Sequence, residues 1–382
     1  MVRNLTPHSC RSLLLVLGLS LLVASAPAAH HASPTPDRFA HIVLFVPDDA
    51  EIPKGYQERL TAIALRTEAF FADGISQWGW PVARQKVFAR TGDGEIEVTL
   101  ARGALPEDAT GRKGFPLVGP LAMAGATAAL GDRADENTVW WTFYHTPKRV
   151  IKGFRGGGDR DGGRAINIYP TAPAEVAIDV ELGAPEMWPL NLKGALHEFG
   201  HALGLPHIGA KPATELGNTL MGPINRAYAS RLPKGTSEPR VYLCEGSAAL
   251  LAKHPLFVSE GPTPPAGKQP ARVNDLAIKD GPDGSIEITG KVSGPVAAHS
   301  VMILDSDRRF GDYWSRSYVA KIDENGKFHA QLDEPFESDQ GFITLYVCLE
   351  DGRNKAVGPE GAMRFSYEGD AGGRKFSPTL RE

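Results

Sequence analysis

Cysteine is scarce in this sequence, which has 3 cysteines among 382 residues. This scarcity excludes a small scaffold stapled by disulfides, because such scaffolds are dense in cysteine. Cys10 lies in an N-terminal segment that we expect to be removed, so only Cys244 and Cys348 could form a bridge. They fall in different predicted domains, and we expect no bridge, although an oxidising compartment would permit one. Two buried free thiols are the alternative.

The sequence also lacks an excess of charge of either sign. Its 41 lysines and arginines nearly balance 45 aspartates and glutamates, which leaves a formal net charge of -4. Nucleic acids and anionic membranes attract proteins with a broad cationic surface, so neither is an expected partner. A composition of 42% hydrophobic and 23% charged residues is typical of a globular protein. The chain length exceeds the usual size of one hydrophobic core, so two folded domains are expected.

A long hydrophobic run occurs only near the N-terminus, from Leu13 to Ala24. Arg3 and Arg11 precede this run and small residues follow it, which is the pattern of a secretory signal peptide. The run is shorter than the roughly 20 apolar residues that span a bilayer, which disfavours an uncleaved anchor. We therefore predict a signal peptide over residues 1–29 and a secreted protein, extracellular or periplasmic, without stable membrane insertion after cleavage.

Residues 38–257 show the alternation of strand and helix patterns that is typical of an α/β domain. A buried strand at His41–Val46 is followed by an amphipathic helix from Tyr56 to Gly74, whose apolar residues recur at helical spacing. Further apolar runs, each bounded by glycine, proline or aspartate, predict the other strands of one mixed sheet. These runs are Ile96–Leu100, Val139–Tyr144, Ala165–Tyr169 and Val176–Val180.

The segment 258–272 has four prolines, two glycines and no periodic apolar pattern, as expected of an interdomain linker. Beyond it, residues 273–368 consist of short strand-like runs separated by turn signals such as Gly281-Pro282-Asp283-Gly284. This pattern predicts a β-sandwich domain, immunoglobulin-like in architecture, which could bind a surface or polymer ligand. The polar tail over residues 369–382 is predicted to be disordered.

A glycine-dense stretch from Gly153 to Gly163 carries two carboxylates, Asp159 and Asp161. Its composition predicts a flexible surface loop. Calcium binds clusters of oxygen ligands, which these two aspartates and loop carbonyls could supply. The positive charges of Arg160 and Arg164 oppose such a site, so Ca²⁺ at Asp159 and Asp161 is the less favoured interpretation.

The strongest signal for function is a motif of three histidines, a glutamate and a glycine. His197, Glu198, His201, Gly204 and His207 occupy all the fixed positions of the pattern HExxHxxGxxH. On a helix, His197 and His201 lie one turn apart on the same face, so both imidazoles can reach one metal ion. Gly204 can adopt the left-handed conformation that ends a helix, which allows His207 to approach the same ion.

Three neutral imidazoles and an open fourth position are the ligand set of a catalytic zinc site. Glu198 directly follows a ligand but points about 100° away from it around the helix. Its carboxylate could therefore act as a general base on a water molecule instead of binding the metal. The motif predicts Zn²⁺ held by His197, His201 and His207, with Glu198 as the catalytic residue.

Through this motif the sequence resembles the metzincin zinc metallopeptidases, and the string HEFGHALGLPH is similar to that of the matrixins. The resemblance implies a methionine in a turn beneath the metal, for which Met221 is suitably placed; an ordinary core methionine is the alternative. It implies a metzincin-like catalytic domain with a mixed sheet and an active-site helix. It also implies that Pro223–Ala227 forms the wall of the specificity pocket, and that an edge strand such as Ala165–Tyr169 pairs with extended substrate.

Departures from the matrixin pattern leave the subfamily open. Ile208 follows His207 where matrixins usually have serine, and thirteen residues separate His207 from Met221, a longer gap than is usual. The sequence before the first predicted strand also lacks the cysteine-containing propeptide of matrixins, so we expect no latency through a cysteine switch.

The favoured function is a secreted zinc endopeptidase that acts on protein or peptide substrates. One alternative is an adhesion or recognition protein that binds zinc without turnover, against which the presence of Glu198 argues. Another is a zinc hydrolase of a non-peptide amide, since the motif specifies the nucleophile and not the substrate.

Overall fold

The structure is a computed structural model that describes residues 38–112, 115–131, 138–148, 153–171, 180–211, 216–231, 240–259, 271–336, 339–356 and 364–379. The predicted signal peptide, residues 260–270 of the predicted linker and most of the predicted strand Val176–Val180 lie outside these residues. Among the described residues, no helix combines the length and the apolar composition that a membrane span requires.

A five-stranded sheet forms the centre of the N-terminal half, in the order β2-β1-β3-β5-β4. Its strands are β1 (Ala40–Val46), β2 (Val98–Arg102), β3 (Val139–Tyr144), β4 (Arg155–Asp159) and β5 (Gly162–Ile168). The first four strands in this order run parallel, whereas β4 lies antiparallel to β5 at the edge. The sheet is therefore mixed, as the sequence predicts, and the predicted strand Val139–Tyr144 has the bounds of β3.

Helices cover both faces of this sheet. The helices of this half are α1 (Tyr56–Ser76), α2 (Glu107–Arg112), α3 (Phe115–Leu130), α4 (Leu192–Ala202), α5 (Asn225–Ala229) and α6 (Glu245–Leu251). Two short strands, β6 (Asn218–Thr219) between α4 and α5 and β7 (Val241–Tyr242) between α5 and α6, pair in parallel with each other. Ile42 and Leu44 of β1 belong to a core with α1 and α4, whereas Val43 and Phe45 pack with α3. Side chains alternate along a strand, so the unbroken apolar run of β1 fits a strand buried on both faces.

The C-terminal half consists of antiparallel strands. They are β8 (Arg272–Asp280), β9 (Ile286–Ser293), β10 (Ala298–Asp307), β11 (Arg316–Lys321), β12 (Lys327–Leu332), β13 (Gln340–Leu349), β14 (Asn354–Ala356), β15 (Arg364–Glu368) and β16 (Lys375–Thr379). One sheet has the order β12-β9-β8, and the other has the order β11-β10-β13-β15-β16 with β14 paired to β13. Apolar residues of both sheets, such as Ile288 and Ile343, form one shared core. The immunoglobulin-like architecture stays a prediction.

The predicted disorder of residues 369–382 is wrong for part of that segment. β16 pairs with β15, and Phe376 packs against Tyr367 with ring centroids 5.9 Å apart. The Arg374 guanidinium also forms an ion pair of 2.9 Å with Asp280. Besides its pairing with β15, this strand is held by one aromatic side chain and by the adjacent, largely buried ion pair. These contacts leave no alternation of apolar residues by which a strand could be predicted from the sequence.

The two halves share a hydrophobic core along β10. Val301 and Ile303 point into the core between the C-terminal sheets, whereas Met302 and Leu304 join the core of the N-terminal half. The described residues of the two halves accordingly form one compact unit. At this seam, by which we mean the core that the two halves share along β10, the turn between β10 and β11 lies next to α4.

Cys244 and Cys348 both lie at this seam as buried, unbridged thiols. Burial raises the pKa of Cys348 to about 12, so this thiol stays protonated at neutral pH. Both cysteines pack as small apolar residues, which is the common role of a buried free cysteine.

Asp305 of β10 is a carboxylate buried in the C-terminal half. The Tyr367 hydroxyl donates to Asp305 Oδ1 at 2.9 Å, and the Phe336 N–H donates to Oδ2 at 2.8 Å. Burial raises the pKa of Asp305, and these two hydrogen bonds lower it by less, so the pKa rises from 3.8 to about 6. The folded state therefore holds a proton here at a pH where the unfolded chain has released it.

We expect Asp305 to make the protein less stable as the pH rises from about 4 to about 7. The folded pKa lies above the unfolded one, so the stabilising contribution is present at low pH and is lost as the pH rises through about 6. The loss should be about 2 to 3 kcal/mol. Urea unfolding of the wild type and of Asp305→Asn at both ends of this range measures it, because the variant has no carboxyl. The same pH dependence in both proteins would contradict the prediction.

Candidate metal centre

Helix α4 carries the first two histidines of the motif and is anchored by an aromatic cluster. The ring of Phe199 lies 4.9 Å from Trp141, 5.3 Å from Phe88 and 5.9 Å from Phe71, measured between ring centroids. Leu196 is also fully buried on this side of the helix. Such close packing leaves the helix little freedom to rotate, so the direction of its other face is set.

The end of α4 turns the chain back toward this face. Gly204 has a φ of 84°, the left-handed conformation that the sequence predicts. The Leu205 N–H donates to the Gly200 carbonyl at 3.0 Å, and the Gly204 N–H donates to the His201 carbonyl at 3.0 Å. This pair of hydrogen bonds is a Schellman motif, which closes the helix and reverses the chain. His207 can then approach the helix from outside.

The structure brings His197, His201 and His207 together. One ring nitrogen from each lies within 4.8 Å of the others, and His201 Nε2 is 3.0 Å from His207 Nε2. His197 Nδ1 lies 2.9 Å from the Leu220 carbonyl oxygen, and His201 Nδ1 lies 2.7 Å from that of Leu205. A carbonyl oxygen only accepts, so both Nδ1 atoms carry the proton and both Nε2 atoms present a lone pair to the same point.

Burial keeps these imidazoles neutral. It lowers the pKa of His197 to about 3 and that of His207 to about 4, and it also lowers the pKa of His201. Neutral imidazoles whose other nitrogen donates to a carbonyl are the usual form of metal-bound histidine. Among the described residues, this is the one group of three or more histidine, cysteine or acidic side chains that could share a metal ion.

Glu198 lies beside the triad at a cavity of about 460 Å³. The Gly156 N–H donates to its carboxylate, which lowers the pKa of Glu198, but burial has the larger effect and raises that pKa to about 7. Glu198 thus lines the cavity and has one hydrogen bond to β4.

The glycine-dense stretch forms the hairpin β4–β5, so the predicted flexible loop is wrong. A Cβ added to Gly156 would overlap the Glu198 carbonyl oxygen and lie 2.8 Å from His201 Cβ. A Cβ added to Gly158 or to Gly163 would overlap the Ala202 carbonyl oxygen in the same way. The glycines are needed because this hairpin lies directly on the backbone of α4.

Asp159 and Asp161 lie at the turn of this hairpin. Asp159 Oδ1 accepts the Asp161 N–H at 2.8 Å, and Asp161 pairs with Arg160 at 2.6 Å and with Arg38 at 3.8 Å. These contacts are sufficient to explain both carboxylates as parts of a turn. The calcium site stays a prediction.

Met221 lies directly beneath α4. A Cβ added to Gly200 would come within 2.7 Å of Met221 Sδ, and the Met221 carbonyl accepts the Ile208 N–H at 3.2 Å. The preceding residue, Leu220, is the one that accepts the hydrogen bond from His197. The segment around Met221 thus supports the first and the third histidine together.

Lys193 is a site residue that the sequence did not reveal. Its buried Nζ donates to the carbonyls of Gly222 and Pro223, and burial lowers its pKa to about 7. It ties α4 to the segment after Met221, which contributes Gly222 and Asn225 to the cavity wall. A lysine one turn before His197, among apolar positions, is the only trace of this role in the sequence.

The predicted walls of the cleft are observed in part. Ile224, Asn225 and Arg226, from the predicted wall segment Pro223–Ala227, line the cavity. The predicted edge strand Ala165–Tyr169 is wrong, because β5 lies between β3 and β4, and β4 is the edge strand among the described residues. A second missed residue, Tyr313 from the C-terminal half, also lines the cavity.

Comparison with known proteins shows the fold. No family model matches the sequence, and no curated protein does. Wild-type OgpA from Akkermansia muciniphila is similar in structure, with a TM-score of 0.67 at 22% identity over 92% of this chain and 99% of that chain. A second crystal form of wild-type OgpA gives a TM-score of 0.63 at 21% identity over 90% and 96%.

A catalytically inactive OgpA in complex with an O-glycopeptide (glycodrosocin) substrate gives a TM-score of 0.64 at 21% identity, over 91% of this chain and 96% of that chain. The likeness extends over both halves of the protein. At this level of identity it shows a common fold, a mixed α/β half followed by antiparallel sheets.

Replacing Gly156 by alanine should destabilise the protein, because the new methyl group would collide with the backbone of α4. We expect a loss of about 1 to 3 kcal/mol in the free energy of unfolding. Gly157→Ala is the matched control, since the neighbouring residue of the same strand has nothing within 4 Å of an added Cβ. Urea unfolding of both variants without metal measures the difference. Equal stabilities would show that the close contact between β4 and α4 is not present.

Proposed function

We propose that this protein is an exported, zinc-dependent endopeptidase of the metzincin type. The observation that carries the proposal is the convergence of three neutral imidazoles, two of them oriented by carbonyl oxygens, next to a glutamate at a cavity. His197, His201 and His207 would hold the metal. Three nitrogen ligands fit zinc in a catalytic site, because they leave one coordination position open.

A zinc ion held by the three histidines would supply a Lewis acid, which would polarise the scissile carbonyl and make a water molecule more acidic. Glu198 takes a proton from the attacking water as the new C–O bond forms. It then gives that proton to the leaving amine as the C–N bond breaks. A carboxylate beside the metal suits both steps, because the same side chain can accept the proton of the water and later donate it to the amine.

The edge strand β4 is the best-placed element to bind an extended peptide. Within the described part of the chain it pairs with β5 along one side only, and the Gly156 N–H on this strand already orients Glu198. A peptide that adds to the free side of β4 would run past Glu198 and the triad. The cavity beyond, walled by Ile224, Asn225 and Arg226, would take the side chain on one side of the cleaved bond.

An O-glycosylated peptide is the substrate class that we favour. The support is the complex of the similar protein OgpA with an O-glycopeptide substrate. The likeness covers 91% of this chain, so it includes the C-terminal sheets as well as the half with the histidines. The cavity beside Glu198 has a volume of about 460 Å³ and both polar and apolar walls, which suits a substituent larger than a single amino-acid side chain.

Glu198→Gln should abolish cleavage without releasing zinc. The amide keeps the size of the side chain but takes up no proton, so we expect kcat to fall by a factor of about 10² to 10⁴. Zinc per chain should be unchanged, because Glu198 is not a ligand. Glu186→Gln is the control, since this exposed carboxylate lies near the cavity without lining it. Full activity in Glu198→Gln would refute the role of Glu198.

Paired synthetic peptides test the substrate class. One peptide carries an O-linked sugar on a threonine, and its partner has the same sequence without the sugar. We expect zinc-dependent cleavage that a chelator abolishes, with the glycopeptide cut at least about tenfold faster in kcat/KM. Equal rates would make the protein a general endopeptidase. Stoichiometric zinc without cleavage of any peptide in a mixed library would defeat the endopeptidase proposal.

A further inference from the structure

A tyrosine from the C-terminal half lies on the third histidine of the triad. Tyr313 belongs to a short 3₁₀ turn (Asp312–Trp314) between β10 and β11. Its ring is stacked on the ring of His207, with centroids 3.7 Å apart and planes inclined by 26°. The Tyr313 ring also faces the ring of His197, with centroids 5.9 Å apart. One wall of the metal centre is therefore made by the other half of the chain.

Contacts on the back of the turn hold it in this position. The Gly209 N–H donates to the Ser315 carbonyl at 2.6 Å, and a Cβ added to Gly209 would come within 2.7 Å of Trp314 Cα. The Trp314 ring is stacked on Tyr228 with centroids 6.3 Å apart, and the Arg231 guanidinium lies 3.8 Å above it. The segment that leaves the third histidine is thus joined to the turn that carries the tyrosine.

Among the described residues, the ring of the third histidine has no Nδ1 hydrogen bond to a carbonyl of the kind that orients the other two. His197 and His201 are oriented by Nδ1 hydrogen bonds to the carbonyls of Leu220 and Leu205. Within the part of the chain that the structure describes, His207 makes one hydrogen-bonding contact, between its Nε2 and that of His201. No carbonyl there fixes its tautomer or the plane of its ring. The shortest ring contact of His207 is the one with Tyr313, at 3.7 Å between centroids, compared with 4.7 Å to His201 and 5.3 Å to His197.

We propose that Tyr313 is a positioning residue that holds the imidazole of His207 in the orientation needed to bind the metal. The inference rests on the proposed function in one respect, namely that His207 is a zinc ligand. The tyrosine acts through its ring, because the stacked face is what contacts His207. The C-terminal half then contributes directly to the affinity for the metal.

Zinc affinity separates this role from a general structural one. We expect Tyr313→Ala to weaken zinc binding by about tenfold or more, as the loss of an orienting contact to a ligand does, and Tyr313→Phe to stay within about twofold of the wild type. Phe310→Ala is the control, since Phe310 is 40% exposed in the same loop but does not contact the triad. Competition with a chromophoric chelator gives the dissociation constants.

The visible absorption of the cobalt-loaded proteins reports the geometry of the ligands. The spectrum of Tyr313→Ala should differ from that of the wild type, whereas the spectra of Tyr313→Phe and Phe310→Ala should match it. Tyr313→Leu replaces the ring with a side chain that is larger than alanine but cannot stack, so its spectrum should also differ from that of the wild type. Thermal unfolding of the metal-free proteins checks that each variant is folded.

Wild-type zinc affinity in both Tyr313→Ala and Tyr313→Leu would overturn the inference, and so would equal weakening in Tyr313→Phe and Tyr313→Ala, which would assign the effect to the hydroxyl. These outcomes leave the proposed function intact if the wild type binds zinc and cleaves peptides. Failure of the wild type to bind zinc would instead refute the proposed function itself.

Discussion

The metal centre depends on one contact, the seating of α4 between an aromatic cluster and a strand of glycines. Phe199 packs into the cluster on one side, and Gly156 and Gly158 allow β4 to touch the helix backbone on the other. A helix held on both sides can neither rotate nor shift, so His197 and His201 point to one place. Because the Gly156 N–H also donates to Glu198, the same strand sets the helix and orients the carboxylate.

Local sequence patterns are sufficient to predict several of the helices and strands around the metal centre. The unbroken apolar run of β1 and the helical spacing of α1 are properties of neighbouring residues, and both predict the observed elements closely. The histidine motif is similarly local, since His197 and His201 are one helical turn apart and Gly204 ends the helix with a φ of 84°. The approach of His207 follows from that turn. Zinc and peptide hydrolysis remain proposals.

Tertiary contacts explain what the sequence did not predict. A row of glycines predicts a loop, although here the missing side chains make room for a helix. Lys193 reads as one polar residue on an apolar helix, because its partners, Gly222 and Pro223, lie 29 and 30 residues further along the chain, beyond the reach of any periodic pattern. Tyr313 is separated from His207 by the rest of the N-terminal half and the first three strands of the C-terminal half, and nothing near it in the sequence points to a histidine.

The strand β10 has a consequence for how this protein can be divided. Met302 and Leu304 are buried against the N-terminal half, while Val301 and Ile303 are buried among the C-terminal sheets. Cutting the chain between the halves would expose apolar surface on both products, so neither is a self-contained module that can be exchanged or deleted. The two halves are therefore coupled in stability, since unfolding either one would expose part of the core of the other.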